Sequence, residues 1–130
     1  MNGTDPVWQA WITRAENDLL NIRNNLAAKV TPWDTVCFHA QQAAEKALKA
    51  FLVARGETPP HTHDLVFLLS QCETYDATLG NLAQGCEQLT YYGVHSRYPD
   101  DIYEPQESEA RELARLAEEI VASVRLRLGA

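Results

Sequence analysis

Between Thr31 and Gly56 the chain reads TPWDTVCFHAQQAAEKALKAFLVARG, and no other stretch limits the possible folds as much. Its apolar residues recur every three or four positions, as a helix requires and a strand does not. Thr31 is placed to cap, Pro32 to take the first helical position, and Asp34 to complete a capping-box spacing. Gly56 supplies a left-handed stop. Val36, Cys37, Ala40, Ala44, Ala47, Leu48 and Phe51 project to one side, with His39, Gln42, Glu45, Lys46 and Lys49 on the other. Ala43 and Ala50 fall inside that polar sector. The spacing therefore predicts a functional surface whose backbone another chain or a ligand can approach closely.

The rest of the chain follows the same period. A first helix is expected from about Asp5 to Ala28, with Trp8, Ile12, Ala15, Leu19, Ile22 and Leu26 as its stripe. Two prolines, Pro59 and Pro60, keep the linker from Glu57 to Thr62 out of a helix, because they lack amide donors and restrict their neighbours. A short apolar helix from Leu65 to Cys72 follows, capped by Thr62 or Asp64. A fourth is expected from Ala77 to Val94, with Leu79, Leu82, Ala83, Cys86 and Leu89 inward. It ends before Pro99, which disfavours helix at Tyr98. The last runs from Pro105 to Leu128, with Ala110, Leu113, Ala117, Ile120, Val121, Val124 and Leu128 as its stripe and Gly129 after it. No segment reads as a strand. Short connections between long amphipathic helices favour antiparallel neighbours. The expected fold is all-α, an up-and-down four-helix bundle with one additional short helix, forming a single domain over residues 1–130.

Composition narrows the function classes. A chain of 130 residues fits one domain, and can bury roughly two-thirds of its unfolded surface without a metal or disulfide. No apolar run approaches the ~20 residues of a membrane span, and the N-terminus lacks the layout of a secretory signal. Cys37, Cys72 and Cys86 are odd in number, have no CxxC spacing, and sit in apolar helical patterns. They read as buried free thiols in a reducing cytoplasm. The net charge of −7 argues against broad electrostatic adhesion to nucleic acid. Local basic patches are left at Lys46 with Lys49, and at Arg111, Arg115, Arg125 and Arg127, the latter diluted by glutamates.

Three constellations carry chemistry. His61-Thr62-His63-Asp64 offers two imidazoles and a carboxylate, but no spaced third and fourth ligand is evident. No metal and no cofactor are therefore expected, and His63 and Asp64 read as helix-capping residues. His39 with Lys46 and Lys49 suits a phosphate group. The alternative is a solvated face with a Glu45–Lys49 pair one turn apart. Arg97, Tyr98 and Asp100 follow a helix end. Arg97 can grip phosphate and Tyr98 can stack on a base, or Arg97 and Asp100 simply pin the loop. Tyr91, Tyr92, Tyr98 and Tyr103 make this end aromatic, which suits a nucleobase or a protein partner. Trp8 and Trp11 lie one turn apart and cannot both be central in a core, so one is expected at a dimer contact. Glycine-rich phosphate loops and nucleophile–base arrangements are missing from the sequence.

At these residues the chain resembles the HEPN family, the higher eukaryotes and prokaryotes nucleotide-binding domain. The resembling stretches are Ala15-Glu16-Asn17-Asp18-Leu19, the run from Cys37 to Ala50, Thr62-His63-Asp64-Leu65 and Arg97-Tyr98-Pro99-Asp100. The resemblance implies a cytoplasmic helical bundle, commonly a homodimer. Its genes often neighbour that of a minimal nucleotidyltransferase, and the two products can form a toxin–antitoxin pair. It also implies nucleotide binding. In many members it implies metal-independent ribonuclease activity, from an Arg, four to six intervening residues and a His near the end of the later helices. This sequence departs from that motif. His95 precedes Arg97, and no His follows. Arg55 and His61 have suitable spacing but flank Gly56, Pro59 and Pro60 on a linker.

The leading expectation is thus a binding module that engages a nucleotidyltransferase partner and a nucleotide or RNA, with no membrane association. Its site residues are His39, Gln42, Lys46 and Lys49, joined by Arg97 and Asp100. The alternative is a ribonuclease toxin with a rearranged site, in which Arg97 stabilises phosphate and His95 or His63 moves the proton. A third reading makes Tyr98 or Tyr103 the acceptor of a nucleotide transferred by the partner.

Overall fold

The computed structural model describes residues 7–95 and 105–130, without the side chains of residues 94 and 95. Every regular element among them is helical: α1 (Val7–Leu26), α2 (Trp33–Ala54), α3 (Leu65–Glu73), a 3₁₀ turn (Ala77–Leu82), α4 (Ala83–His95) and α5 (Glu107–Leu128). This is the expected helical bundle with a short extra helix.

α2 is the central element. It packs against α1 on one side and α5 on another, and also touches α3 and α4. Its apolar positions Val36, Cys37, Ala40, Ala44, Ala47, Leu48 and Phe51 are all fully buried. α1 runs against both of the other long helices. Asp18 of α1 meets His39 and Lys46 of α2, while Trp11 lies by Lys49, so α1 and α2 are antiparallel. Arg23 pairs with Glu118 and Glu16 with Arg125, so α1 and α5 are antiparallel too.

Three expectations about the start of α2 are corrected. Thr31 does not cap it. Its hydroxyl donates to the Asn25 carbonyl at 3.1 Å and closes the turn from α1. Pro32 is the extended cap residue rather than the first helical one, and no side chain caps α2. Asp34 accepts from its neighbour Thr35, so no capping box forms. The other caps follow the sequence. Asp64 accepts from the amides of Val66 and Phe67 at the start of α3. Gly56 and Gly129 take positive φ of 87° and 71° beyond α2 and α5.

The expected fourth helix is divided. Asp76 accepts from the Thr78 amide and hydroxyl, which tightens the first turn to 3₁₀ geometry before α4 begins at Ala83. Arg127 of α5 closes on the same carboxylate at 2.9 Å. The linker is the least predictable part. It runs back along α2, so that Gln41 reaches the His63 carbonyl and Cys72 reaches the Leu48 carbonyl. α3 therefore travels parallel to α2 rather than against it. Cys37, Cys72 and Cys86 are free and buried, and burial pushes each thiol up to about 12.

Candidate functional site

The polar sector of α2 is not an open surface. Ala43 and Ala50 are fully buried, and Glu45 and Lys49 are only 5% and 8% exposed. The small side chains do permit close approach, but it is α1 that lies against this face. The sequence reading of that sector as a surface for a second chain is corrected accordingly.

What α1 brings to the sector is Asp18, itself 6% exposed. Its two carboxylate oxygens are divided between two residues of α2. Oδ1 lies 2.8 Å from Nδ1 of His39, and Oδ2 lies 2.7 Å from Nζ of Lys46. Residues 39 and 46 are two turns apart, so one carboxylate gathers both groups to a single spot. A carboxylate only accepts, so Nδ1 of His39 carries the hydrogen and the other ring nitrogen, Nε2, is the acceptor in the neutral ring. Nε2 has no partner among the described residues, and no buried side-chain nitrogen or oxygen there is left unpaired. Nε2 therefore reaches the surface. The half-exposed Phe38 ring stands edge-on to the imidazole at 5.4 Å.

One turn along, Glu45 repeats the pattern. Its Oε2 accepts from Lys49 at 3.0 Å and its Oε1 from Nδ1 of His63 at 2.8 Å. Lys49 is enclosed and also lies 5.8 Å from the centre of the Trp11 ring. The exposed His63 arrives from the returning linker, not as a cap of α3. Gln41 ties the arrangement together. Its amide donates to the His63 carbonyl and accepts from Gln42, each at 3.2 Å. It can lie so close to α4 because residue 93 is glycine. A Cβ there would stand 3.3 Å from the Gln41 amide nitrogen.

The structure thus brings together His39, Gln42, Lys46, Lys49 and His63, and adds Asp18, Gln41 and Gly93. Arg97, Asp100, Tyr98 and Tyr103 lie outside the described residues, as does the His95 side chain. Asp18 carried a signal that the sequence reading missed. It stands between Ala15, Leu19 and Ile22, so a charged residue occupies the inward stripe of α1.

Other candidates are placed elsewhere. The arginines of α5 form no free basic patch, since Arg111 pairs with Glu107, Arg115 with Glu112 and Glu119, Arg125 with Glu16, and Arg127 with Asp76. Tyr92 is buried with its hydroxyl donating to the Asp34 carbonyl, whereas Tyr91 is exposed. A cleft of about 340 Å³ between α4 and α5 is bordered by both tyrosines, but also by Glu87, Glu109 and Glu112, which repel phosphate. Trp8 and Trp11 are both partly buried against the core edge. No group of three or more His, Cys, Asp or Glu among the described residues is disposed to hold a metal ion. None of the described helices is long and apolar enough to cross a membrane.

Comparison with known proteins agrees with this architecture. The model of the HEPN domain family matches residues 8–127. Among solved structures, TT1696 from Thermus thermophilus superposes with a TM-score of 0.80 and 28% identity, over 93% of this chain and 98% of that one. No curated protein sequence matches.

Proposed function

The chain belongs to the HEPN domain family, and on that footing we propose that it is a nucleotide- and partner-binding module acting beside a minimal nucleotidyltransferase, in a toxin–antitoxin-like pair. The observation that carries the nucleotide half is the Asp18 carboxylate, which sets an imidazole and an ammonium side by side at the surface. His39 and Lys46 face the ligand. Gln42 adds its amide oxygen, which has no partner among the described residues and so lies at the surface. Lys49, enclosed by Glu45 and Trp11, supports this face from behind. Arg97 and Asp100, outside the described residues, are nominated as its further members. The working form is a homodimer in the cytoplasm, with the Trp8–Trp11 edge as the surface nominated for the contact.

A thermal-shift series with nucleotides and with the co-expressed transferase tests this. Ligand at a hundred times its Kd stabilises by about 2.7 kcal/mol, enough for a clear rise in melting temperature. The wild type should shift and Lys46→Ala should not. If neither nucleotide nor transferase moves the wild-type transition, the reading fails.

A further inference from the structure

We propose that the His39–Lys46 face binds a terminal phosphate monoester and takes up one proton at His39 Nε2 as it does so. This rests on the nucleotide-binding reading and adds the ligand group and the protonation that accompanies it.

The reasoning starts from charge. Asp18 and Glu45 contribute two negative charges, and Lys46 and Lys49 two positive ones, all four held in direct pairs. With both imidazoles neutral, these four charges cancel, and the nominated Arg97 and Asp100 add one charge of each sign. A neutral, partly buried cluster gives an anion little Coulomb attraction, because each ammonium is already matched by a carboxylate. The acidic chain as a whole adds none.

Positive charge must therefore be gained on binding. Among the described residues, the ionisable groups that face His39 are Asp18 from α1 and Lys46 from its own helix. Glu45, Lys49 and His63 are paired among themselves in the adjoining relay. Among the described residues, α4 meets α2 here through Gly93 against Gln41, and that contact carries no charge. His39 Nδ1 is committed to Asp18, and Nε2 is at the surface. A proton on Nε2 converts an acceptor into a donor and leaves one net positive charge beside Lys46. The Lys46 ammonium has three hydrogens and gives one to Asp18, which leaves two directed elsewhere. These outward donors suit the three terminal oxygens of a monoester dianion. A phosphodiester presents two free oxygens and a single charge. It gains less from the added proton.

Isothermal titration calorimetry distinguishes the outcomes. The probes are adenosine 5′-monophosphate and the diester adenosine 3′,5′-cyclic monophosphate, each run in two buffers of different ionisation enthalpy. For the monoester, binding heats should reveal uptake of about one proton, and affinity should fall roughly tenfold per pH unit on the alkaline side. The cyclic diester should bind more weakly, with no proton uptake. His39→Gln, which can still meet Asp18 but cannot take up the proton, should abolish the pH dependence. The wild-type buffer comparison decides even if that variant fails to fold. Monoester binding with pH-independent affinity, or proton uptake that persists in His39→Gln, overturns this proposal and leaves nucleotide binding standing. Silence from both probes overturns it, and silence across the whole nucleotide panel removes the nucleotide half of the broader reading as well.

Discussion

Replacing Glu45 by Gln should be among the most damaging near-isosteric changes in this protein. The Glu45 and Lys49 side chains are 7% and 10% exposed and meet at 3.0 Å. The substitution keeps the volume and an acceptor but removes the charge, which leaves an ammonium enclosed without its counter-ion. Breaking a buried pair in this way costs about 3–5 kcal/mol. The Trp11 ring 5.8 Å away offsets part of that, since a desolvated cation over an aromatic face is worth up to about 2 kcal/mol. That contact is already present in the wild type, so only its strengthening counts, and about 3 kcal/mol remains. Against a typical total of about 5–15 kcal/mol, that is a large fraction. Urea unfolding followed by far-UV circular dichroism would read it as a lower midpoint at unchanged slope. The control is Glu45→Leu combined with Lys49→Met. It removes both charges, so the double variant should lie close to the wild type, or above it. His63 also loses its acceptor, but it is 55% exposed and water replaces the bond. The reasoning is refuted if Glu45→Gln costs less than about 1 kcal/mol, or if the double variant is as unstable as the single one.

Gly93→Ala should destabilise by about 1 kcal/mol despite Ala being the better helix former, because the new methyl meets Gln41, which is held at both ends; in a Gln41→Ala background the same change should become neutral or favourable. Thiol alkylation at pH 8 should leave native Cys37, Cys72 and Cys86 unmodified and label all three in denaturant. Their folded values lie above the ordinary 9.0, so the stability they contribute is complete below that pH and is lost as pH rises towards about 12. Bonds from Thr78, and then from Arg127, hold the Asp76 carboxyl below its ordinary 3.8, so its contribution is present above that pH and fades as pH falls through the depressed value. The stability difference between wild type and Asp76→Asn should accordingly shrink in acid, as pH-dependent urea midpoints would show. RNA incubated with the purified protein should stay intact; cleavage that disappears in Arg97→Ala and His95→Ala would instead favour the ribonuclease assignment.

Local features were legible in the sequence wherever their cause is local. The stripe from Val36 to Phe51 is buried as its spacing requires, and Asp64, Gly56 and Gly129 perform the capping roles that their chemistry suits. Thr31 shows the limit. It has the chemistry of a cap, but the turn from α1 puts the Asn25 carbonyl nearer. The 3₁₀ turn before α4 was hidden for a related reason, because Asp76 answers to Arg127 some fifty residues on as well as to its own neighbours.

By itself, then, the sequence determined the helices, their inward faces and the grouping of His39, Glu45, Lys46 and Lys49 on one side of α2. Only the tertiary structure decided that this side is covered by α1, that Asp18 joins His39 to Lys46, and that the proline-bearing linker doubles back to bring His63 to Glu45. Helical periodicity follows from backbone bonds four residues apart, which a sequence displays directly. Whether a polar side chain meets water or a counter-charge depends on which helix packs against it, and that is fixed by the core as a whole.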